Sequence, residues 1–215
     1  MAPDTERTVS MSLSGMIHEG ILGMPANPRG LVIFAHGSGS SRHSPRNHFV
    51  ARQLREVGLA TLLFDLLSEA EDRVYEKRFD IDLLAERLAQ ASAWAHADPE
   101  LAGLPQGYFG ASTGAAAALN AAARLPGMAQ AVVSRGGRPD LSGESLPLVE
   151  APTLLIVGGA DTQVIELNRW AKAQMRATCE LAIVPGATHL FEEPGTLFQA
   201  AQLAADWFTR WLIPG

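Results

Sequence analysis

The sequence predicts an α/β protein built on a mostly parallel sheet, and three observations predict it. Short, almost wholly apolar runs recur along the chain, each is followed by a longer segment of helical spacing, and the joints between them are rich in Gly, Pro, Ser and Asp. A strand buried on both faces reads as an unbroken apolar run, because helices cover both sides of a parallel sheet. A twisted sheet with helices on both faces follows.

Taken in order, residues 11–24 place apolar positions around Gly15 and Gly20, which suits an antiparallel hairpin capping one sheet edge. Gly30 to Ala35 is the first core strand, and Pro45 to Val57 is a helix with Phe49, Val50, Leu54 and Val57 at helical spacing. Ala60 to Phe64 is the next strand. A charged connector, Ser68 to Arg78, reads as a solvated loop, and a helix from about Asp80 to Ala97 carries Ile81, Leu84, Leu88 and Ala91 on one face. The later units run from Tyr108-Phe109 into 112–125, from Ala131–Val133 into a Gly/Pro-rich loop, from Thr153–Val157 into 164–175, and from Leu181–Val184 into 195–212. No repeat or linker interrupts them, so residues 1–215 are expected to form a single domain, with the polar residues 1–10 flexible.

Composition narrows the function. Seventeen Lys and Arg against twenty-three Asp and Glu give a formal charge of −6, which supplies no global positive field for nucleic acid or an anionic membrane, so neither is expected as a partner. The longest apolar runs fall well short of the ~18 residues that span a bilayer, and the first ten residues lack the basic start and apolar run of an export signal. A cytoplasmic protein is expected. The single cysteine, Cys179, cannot form an intrachain disulfide, has no zinc-site spacing, and is expected to act as a small core hydrophobe. Trp170, Trp207 and Trp211 lie on predicted helices and serve either core packing or a homodimer contact.

In sheets of this kind ligands bind beyond the carboxyl ends of the strands, where loop amides and helix N-termini converge. After Tyr108-Phe109 comes Gly110-Ala-Ser112-Thr-Gly114, running into an Ala-rich helix: the G-x-S-x-G turn in its strand–turn–helix context. The glycines have a mechanical reason, since side chains flanking so tight a turn would clash. The pentapeptide alone also fits an ordinary serine helix cap. A serine hydroxyl needs a histidine to take its proton and an acid to orient that histidine. Asp161, after Thr153–Val157 and Gly158-Gly-Ala160, and His189, after Leu181–Val184 and Pro185-Gly-Ala-Thr188, supply both beyond later strands, in the order this fold requires. A turn-forming Asp161 and a loop His189 are the alternatives to those roles.

His36 opens His36-Gly-Ser-Gly-Ser-Ser41 directly after the first core strand, a turn of the kind that lends an N–H to an oxyanion hole. The expected donors are the amides of Ser38 and Thr113, with His36 bracing the loop. A phosphate cradle is the rival reading, and the turn lacks the spacing of a P-loop or a dinucleotide site. The remaining histidines, His18, His43, His48 and His96, fit the base role less well, and surface positions are expected for His18, His48 and His96.

Together, the His36–Arg46 stretch, the elbow at Ser112, Gly159-Ala-Asp161 and Ala187-Thr-His189 resemble the dienelactone-hydrolase-like branch of the α/β-hydrolases, from about Gly30 onward. The chain is more closely similar to small hydrolase modules found fused to phosphoribosyltransferases. The resemblance implies an α/β-hydrolase sheet and a Ser112–Asp161–His189 triad. Dienelactone hydrolases proper use a cysteine nucleophile, so Ser112 does not imply dienelactone as the substrate, and the phosphoribosyl chemistry of the fused relatives is not carried over. No metal or organic cofactor is implied.

Residues 135–152 are too few for a cap domain, and an open cleft suits short-chain or compact esters better than long acyl chains. Arg42, Arg46, Arg135 and Arg138 flank the strand ends, where a guanidinium could hold a substrate carboxylate, or could pair with Asp140, Asp65 or helix carbonyls and fix loops. The expected activity is a serine hydrolase acting on a small-molecule ester. Thioesterase, peptidase or other acyl transfer at the same triad, and a non-catalytic binding protein, are the alternatives.

Overall fold

The computed structural model describes residues 5–213. Eight strands form one sheet: β1 (Thr5–Leu13), β2 (Met16–Met24), β3 (Leu31–Ala35), β4 (Ala60–Phe64), β5 (Gln106–Ala111), β6 (Ala129–Arg135), β7 (Thr153–Gly158) and β8 (Cys179–Val184). Their order is β1-β2-β4-β3-β5-β6-β7-β8, with β1–β2 and β2–β4 antiparallel and every later pair parallel. Six helices accompany them: α1 (Pro45–Glu56), α2 (Glu69–Asp72), α3 (Ile81–Ala97), α4 (Thr113–Arg124), α5 (Thr162–Gln174) and α6 (Thr196–Leu212).

The central strands β3, β4, β5 and β7 are buried at every position because both of their faces are covered. On β3, Val32 and Phe34 face a cluster with Val50 and Leu54 of α1 and Phe208 of α6, while Leu31 and Ile33 face Leu88 of α3 and the alanines of α4. That alternation makes two cores, one on each side of the sheet. Burying each large side chain is worth about 1.5–3 kcal/mol. The alanines of α4 contribute little area but let the helix sit close to the sheet, which the elbow before it requires.

Four expectations change. Residues 5–10, expected to be flexible, belong to β1, which pairs with β2 from Thr5↔Met24 to Leu13↔Met16. Only Val9 on that stretch is buried, so the strand is held by its ladder more than by an apolar face; residues 1–4 lie outside the described residues. The connector 68–78 is not simply a solvated loop. Ser68 and Glu71 form a reciprocal capping box on α2, and Glu71 is buried against Arg87 of α3 at 2.9 Å. His18, expected at the surface, is buried, with its Nδ1 2.8 Å from the Asp65 carbonyl. Cys179 is half-buried on the outer strand β8, and burial pushes its thiol up to about 11.

Between β6 and β7 the chain forms a 3-10 segment, Pro139–Leu148, tied to α4 by the Ser142 hydroxyl donating to the Ala116 carbonyl at 3.1 Å. No cap domain is inserted there. Among the described residues no helix is long and apolar enough to cross a membrane. Trp207 is buried in the core and donates to the Pro152 carbonyl at 3.3 Å, whereas Trp170 is exposed.

Candidate active site

Ser112 joins β5 to α4 with φ 52° and ψ −122°, a positive φ that a residue with a Cβ adopts at a cost of about 1–3 kcal/mol. Its neighbours show why the turn needs glycine. A Cβ on Gly114 would lie 2.1 Å from the Ala35 carbonyl oxygen, and one on Gly110 would lie 2.4 Å from the Ala115 Cα. The helix can therefore start hard against β3 and β5 only with glycine at both positions. The serine is half-buried, and the Ser112 side chain accepts no helix-capping bond, so it does not serve as an ordinary N-cap.

Asp161 and His189 follow β7 and β8, on the same edge of the sheet as Ser112. The Asp161 side chain caps no helix amide either. Its Oδ2 lies 2.8 Å from His189 Nδ1, and the side chains are 16% and 39% exposed, so the carboxylate is the better shielded partner. The two loops are locked together: the Ala160 N–H donates to the Ala187 carbonyl at 2.9 Å and the Gly159 N–H to Val184 at 2.8 Å. A Cβ on Gly158 would fall 2.3 Å from the Ala187 oxygen. Glu193, absent from the sequence reading, clamps the histidine loop by accepting from the Thr188 N–H at 3.0 Å and its hydroxyl at 2.6 Å, contacts that lower its own pKa.

The histidine loop meets the elbow across the end of β6. The Ser112 N–H donates to the Arg135 carbonyl at 3.3 Å, and a Cβ on Gly136 would lie 3.0 Å from the His189 oxygen and 3.7 Å from its ring Cε1. The Ser112 hydroxyl itself has no hydrogen-bond partner among the described residues. Beneath it lies the turn after β3, where a Cβ on Gly37 would be 3.2 Å from the Ser112 Cβ.

The two expected oxyanion donors differ in state. The Thr113 amide has no partner among the described residues, while the Ser38 amide donates to Thr113 Oγ1 at 2.9 Å. His36 is buried, its Nε2 accepts from the Leu66 N–H at 3.1 Å and its Nδ1 lies 2.9 Å from the Gly37 carbonyl, which fixes a neutral ring with the proton on Nδ1. Burial lowers its pKa, against the opposing pull of the Gly37 carbonyl and Asp65. His36 thus braces the turn, as expected of it.

The four arginines separate cleanly. Arg42 is paired with Asp65 and Glu19, and Arg138 chelates Asp140 at 2.8 and 2.7 Å. Among the described residues Arg46 reaches Glu192 alone, at 3.6 Å. Arg135 is 7% exposed and pairs with no carboxylate among the described residues; burial, then the charge of Arg46, pushes it down to about 10.

An eight-stranded sheet with two antiparallel strands at one edge, a strained serine between β5 and α4, and an Asp–His pair beyond β7 and β8 define an α/β-hydrolase. The sequence matches the dienelactone hydrolase family over residues 19–212, and the chain belongs to that family. A dienelactone hydrolase from Anabaena variabilis is similar at 52% identity and a TM-score of 0.94, covering 97% of this chain and 99% of its own. A serine hydrolase without lid from Xanthomonas campestris shares the fold at 22% identity and a TM-score of 0.78, over 100% of this chain and 99% of its own. Two Mycobacterium tuberculosis strains hold a relative named "Putative phosphoribosyl transferase", 61% identical over 88% of this chain, and the chain spans 43% of that relative's length.

Proposed function

We propose that the chain is a serine hydrolase that cleaves small carboxylic esters through an acyl-enzyme on Ser112. The observation that carries the reading is the 2.8 Å contact between His189 Nδ1 and Asp161, beside a serine held at positive φ. With the Nδ1 proton donated to Asp161, His189 presents an unprotonated Nε2 as the base. The Ser112 hydroxyl has no partner among the described residues and is free to donate to that nitrogen.

In the first half-reaction His189 Nε2 takes the Ser112 proton as Oγ bonds to the ester carbonyl carbon. The tetrahedral oxyanion is held by the Thr113 amide and by the Ser38 amide, which turns from Thr113 Oγ1 to the new charge. His189 then gives its proton to the leaving alkoxide as the C–O bond breaks. In the second half-reaction water loses a proton to the same nitrogen, attacks the acyl carbon, and releases the acid and a protonated Ser112. Asp161 stays ionised throughout and orients the imidazole. The absence of an inserted cap between β6 and β7 supports compact substrates.

The phosphoribosyl transferase name belongs to relatives of which this chain spans 43%, and nothing in the Ser112 site favours that chemistry. Labelling with a fluorophosphonate probe tests the reading: modification of Ser112 in the native protein and none in Ser112→Ala is expected. Labelling that is unchanged in Ser112→Ala would remove the assignment.

A further inference from the structure

The loop that carries His189 ends in a strained turn. Phe191 sits at φ 57°, in the left-handed region that a bulky side chain enters only at a cost, and its N–H donates to the Thr188 carbonyl at 3.2 Å, closing the turn around His189. That backbone places the Phe191 ring beside the base. The point where a Cβ on Gly136 would stand is 3.5 Å from the Phe191 Cε2 and 3.7 Å from the His189 Cε1. From there a groove of about 540 Å³ opens, with Phe191, Leu197 and Phe198 along one wall and Phe49 of α1 on the other. Phe191 joins this groove to the base.

Phe198, on the first turn of α6, is 50% exposed. A single exposed apolar residue needs no explanation, whereas three phenylalanines and a leucine around one concavity mark a place for an apolar ligand. The volume lies within the range of about 300–1,000 Å³ usual for small-molecule sites. The charges at the rim are met by one another or by the loop, since Arg46 lies 3.6 Å from Glu192, and Glu193 accepts twice from Thr188. The chemistry then fixes which part of an ester faces this side. His189 must reach the leaving oxygen to protonate it, while the carbonyl oxygen points to the amides of Ser38 and Thr113. The alcohol part therefore departs past His189 along the loop from Phe191 to Phe198, and α1, which follows the oxyanion turn in the chain, supplies the facing wall.

We propose that this groove binds the alcohol part of the substrate and that this part is uncharged and aromatic, so that the preferred substrates are esters of arylalkyl alcohols. The proposal rests on Ser112 as nucleophile and His189 as base, which fix the side on which the alcohol leaves. Phe49 and Phe198 are the residues that set the preference, because they offer ring faces and edges to a ring in the groove.

Two isomeric esters carry the same ring on opposite sides of the carbonyl: 2-phenylethyl acetate on the alcohol side and methyl 3-phenylpropanoate on the acyl side. With the native protein kcat/KM is expected to be about tenfold higher for 2-phenylethyl acetate, and Phe198→Ala and Phe49→Ala should each cut that ratio about threefold. Circular dichroism establishes that each variant is folded, and if one is not, the other decides. Binding of 2-phenylethanol to the Ser112→Ala protein needs no turnover and separates the groove from the nucleophile. An NMR titration should show that adding Phe198→Ala weakens it about threefold. A ratio of one or less, a ratio unmoved by both substitutions, or alcohol binding indifferent to Phe198→Ala would overturn the assignment. So would a dimer in sedimentation that Phe198→Ala disperses, because the groove would then seat a second copy of the chain. If neither ester is turned over while 2-phenylethanol binding still depends on Phe198, the nucleophile assignment fails and the groove stands.

Discussion

Two buried arginines on this sheet are handled in opposite ways. Arg87, 4% exposed on α3, donates to Glu71 at 2.9 Å and to the Ser14 hydroxyl at 2.9 Å, so its charge is met from both the connector and the β1–β2 turn. Arg135, 7% exposed at the end of β6, lies against the rings of Phe109 and Phe191 and pairs with no carboxylate among the described residues. The first holds three parts of the chain together. The second leaves a charge at the carboxyl end of β6, next to the Ser112 turn, with no carboxylate partner among the described residues. Ser112 itself fits the contrast, since its positive φ also costs stability where the chemistry is proposed.

The comparison can be broken most decisively at the nucleophile. Ser112→Ala should reduce ester turnover by about three orders of magnitude or more in a kcat assay while the melting temperature holds. Next in size is the pair of arginines. Glu71→Ala leaves Arg87 buried and unpaired and should cost about 3–5 kcal/mol in urea unfolding, whereas Arg135→Met should be neutral or stabilising by about 1–2 kcal/mol. If Arg135→Met destabilised as much as Glu71→Ala, the two arginines would be doing the same job. Ser112→Gly should raise stability by about 1 kcal/mol by relieving the positive φ, read from the same unfolding curves.

The smallest effect concerns the brace under the site. His36 is neutral in the folded protein because Nε2 accepts the Leu66 N–H, and its folded pKa is lowered from 6.5. The unfolded chain therefore binds a proton that the folded chain refuses, so stability is full above about pH 6.5 and declines as pH falls from there toward the lowered folded value. Urea midpoints measured from pH 7.5 downward should show that decline, and His36→Gln should flatten it. A decline unchanged in His36→Gln would assign it to other groups.

Much of this was legible in the sequence where the signal is local. The elbow, the apolar strands and the positions of Asp161 and His189 all follow from short patterns: a glycine-spaced turn, an unbroken apolar run, a polar residue just past a strand. The hairpin's start was missed because Thr5–Thr8 are exposed on an edge strand, where neither alternation nor hydrophobicity marks the ladder. The role of Glu71 was hidden in a charge run, since its partner Arg87 lies a helix away, although the Ser68–Glu71 spacing carries a capping signal. His18 gave no sign of burial because its cover comes from the chain around Asp65. The state of the arginines was the least legible. Whether a guanidinium is met by a carboxylate depends on contacts far apart in sequence, and four arginines that looked alike became two paired, one loosely held and one unmet.

The central claim is an acyl-enzyme on Ser112, and trapping it is the most direct measurement. The protein is mixed with p-nitrophenyl acetate, quenched in acid during the initial burst, digested, and read by mass spectrometry. One acetyl group is expected on the peptide containing Ser112, lost in Ser112→Ala and accumulating less in His189→Ala. An acetyl group on Cys179, or rapid turnover with Ser112 unmodified, would contradict it.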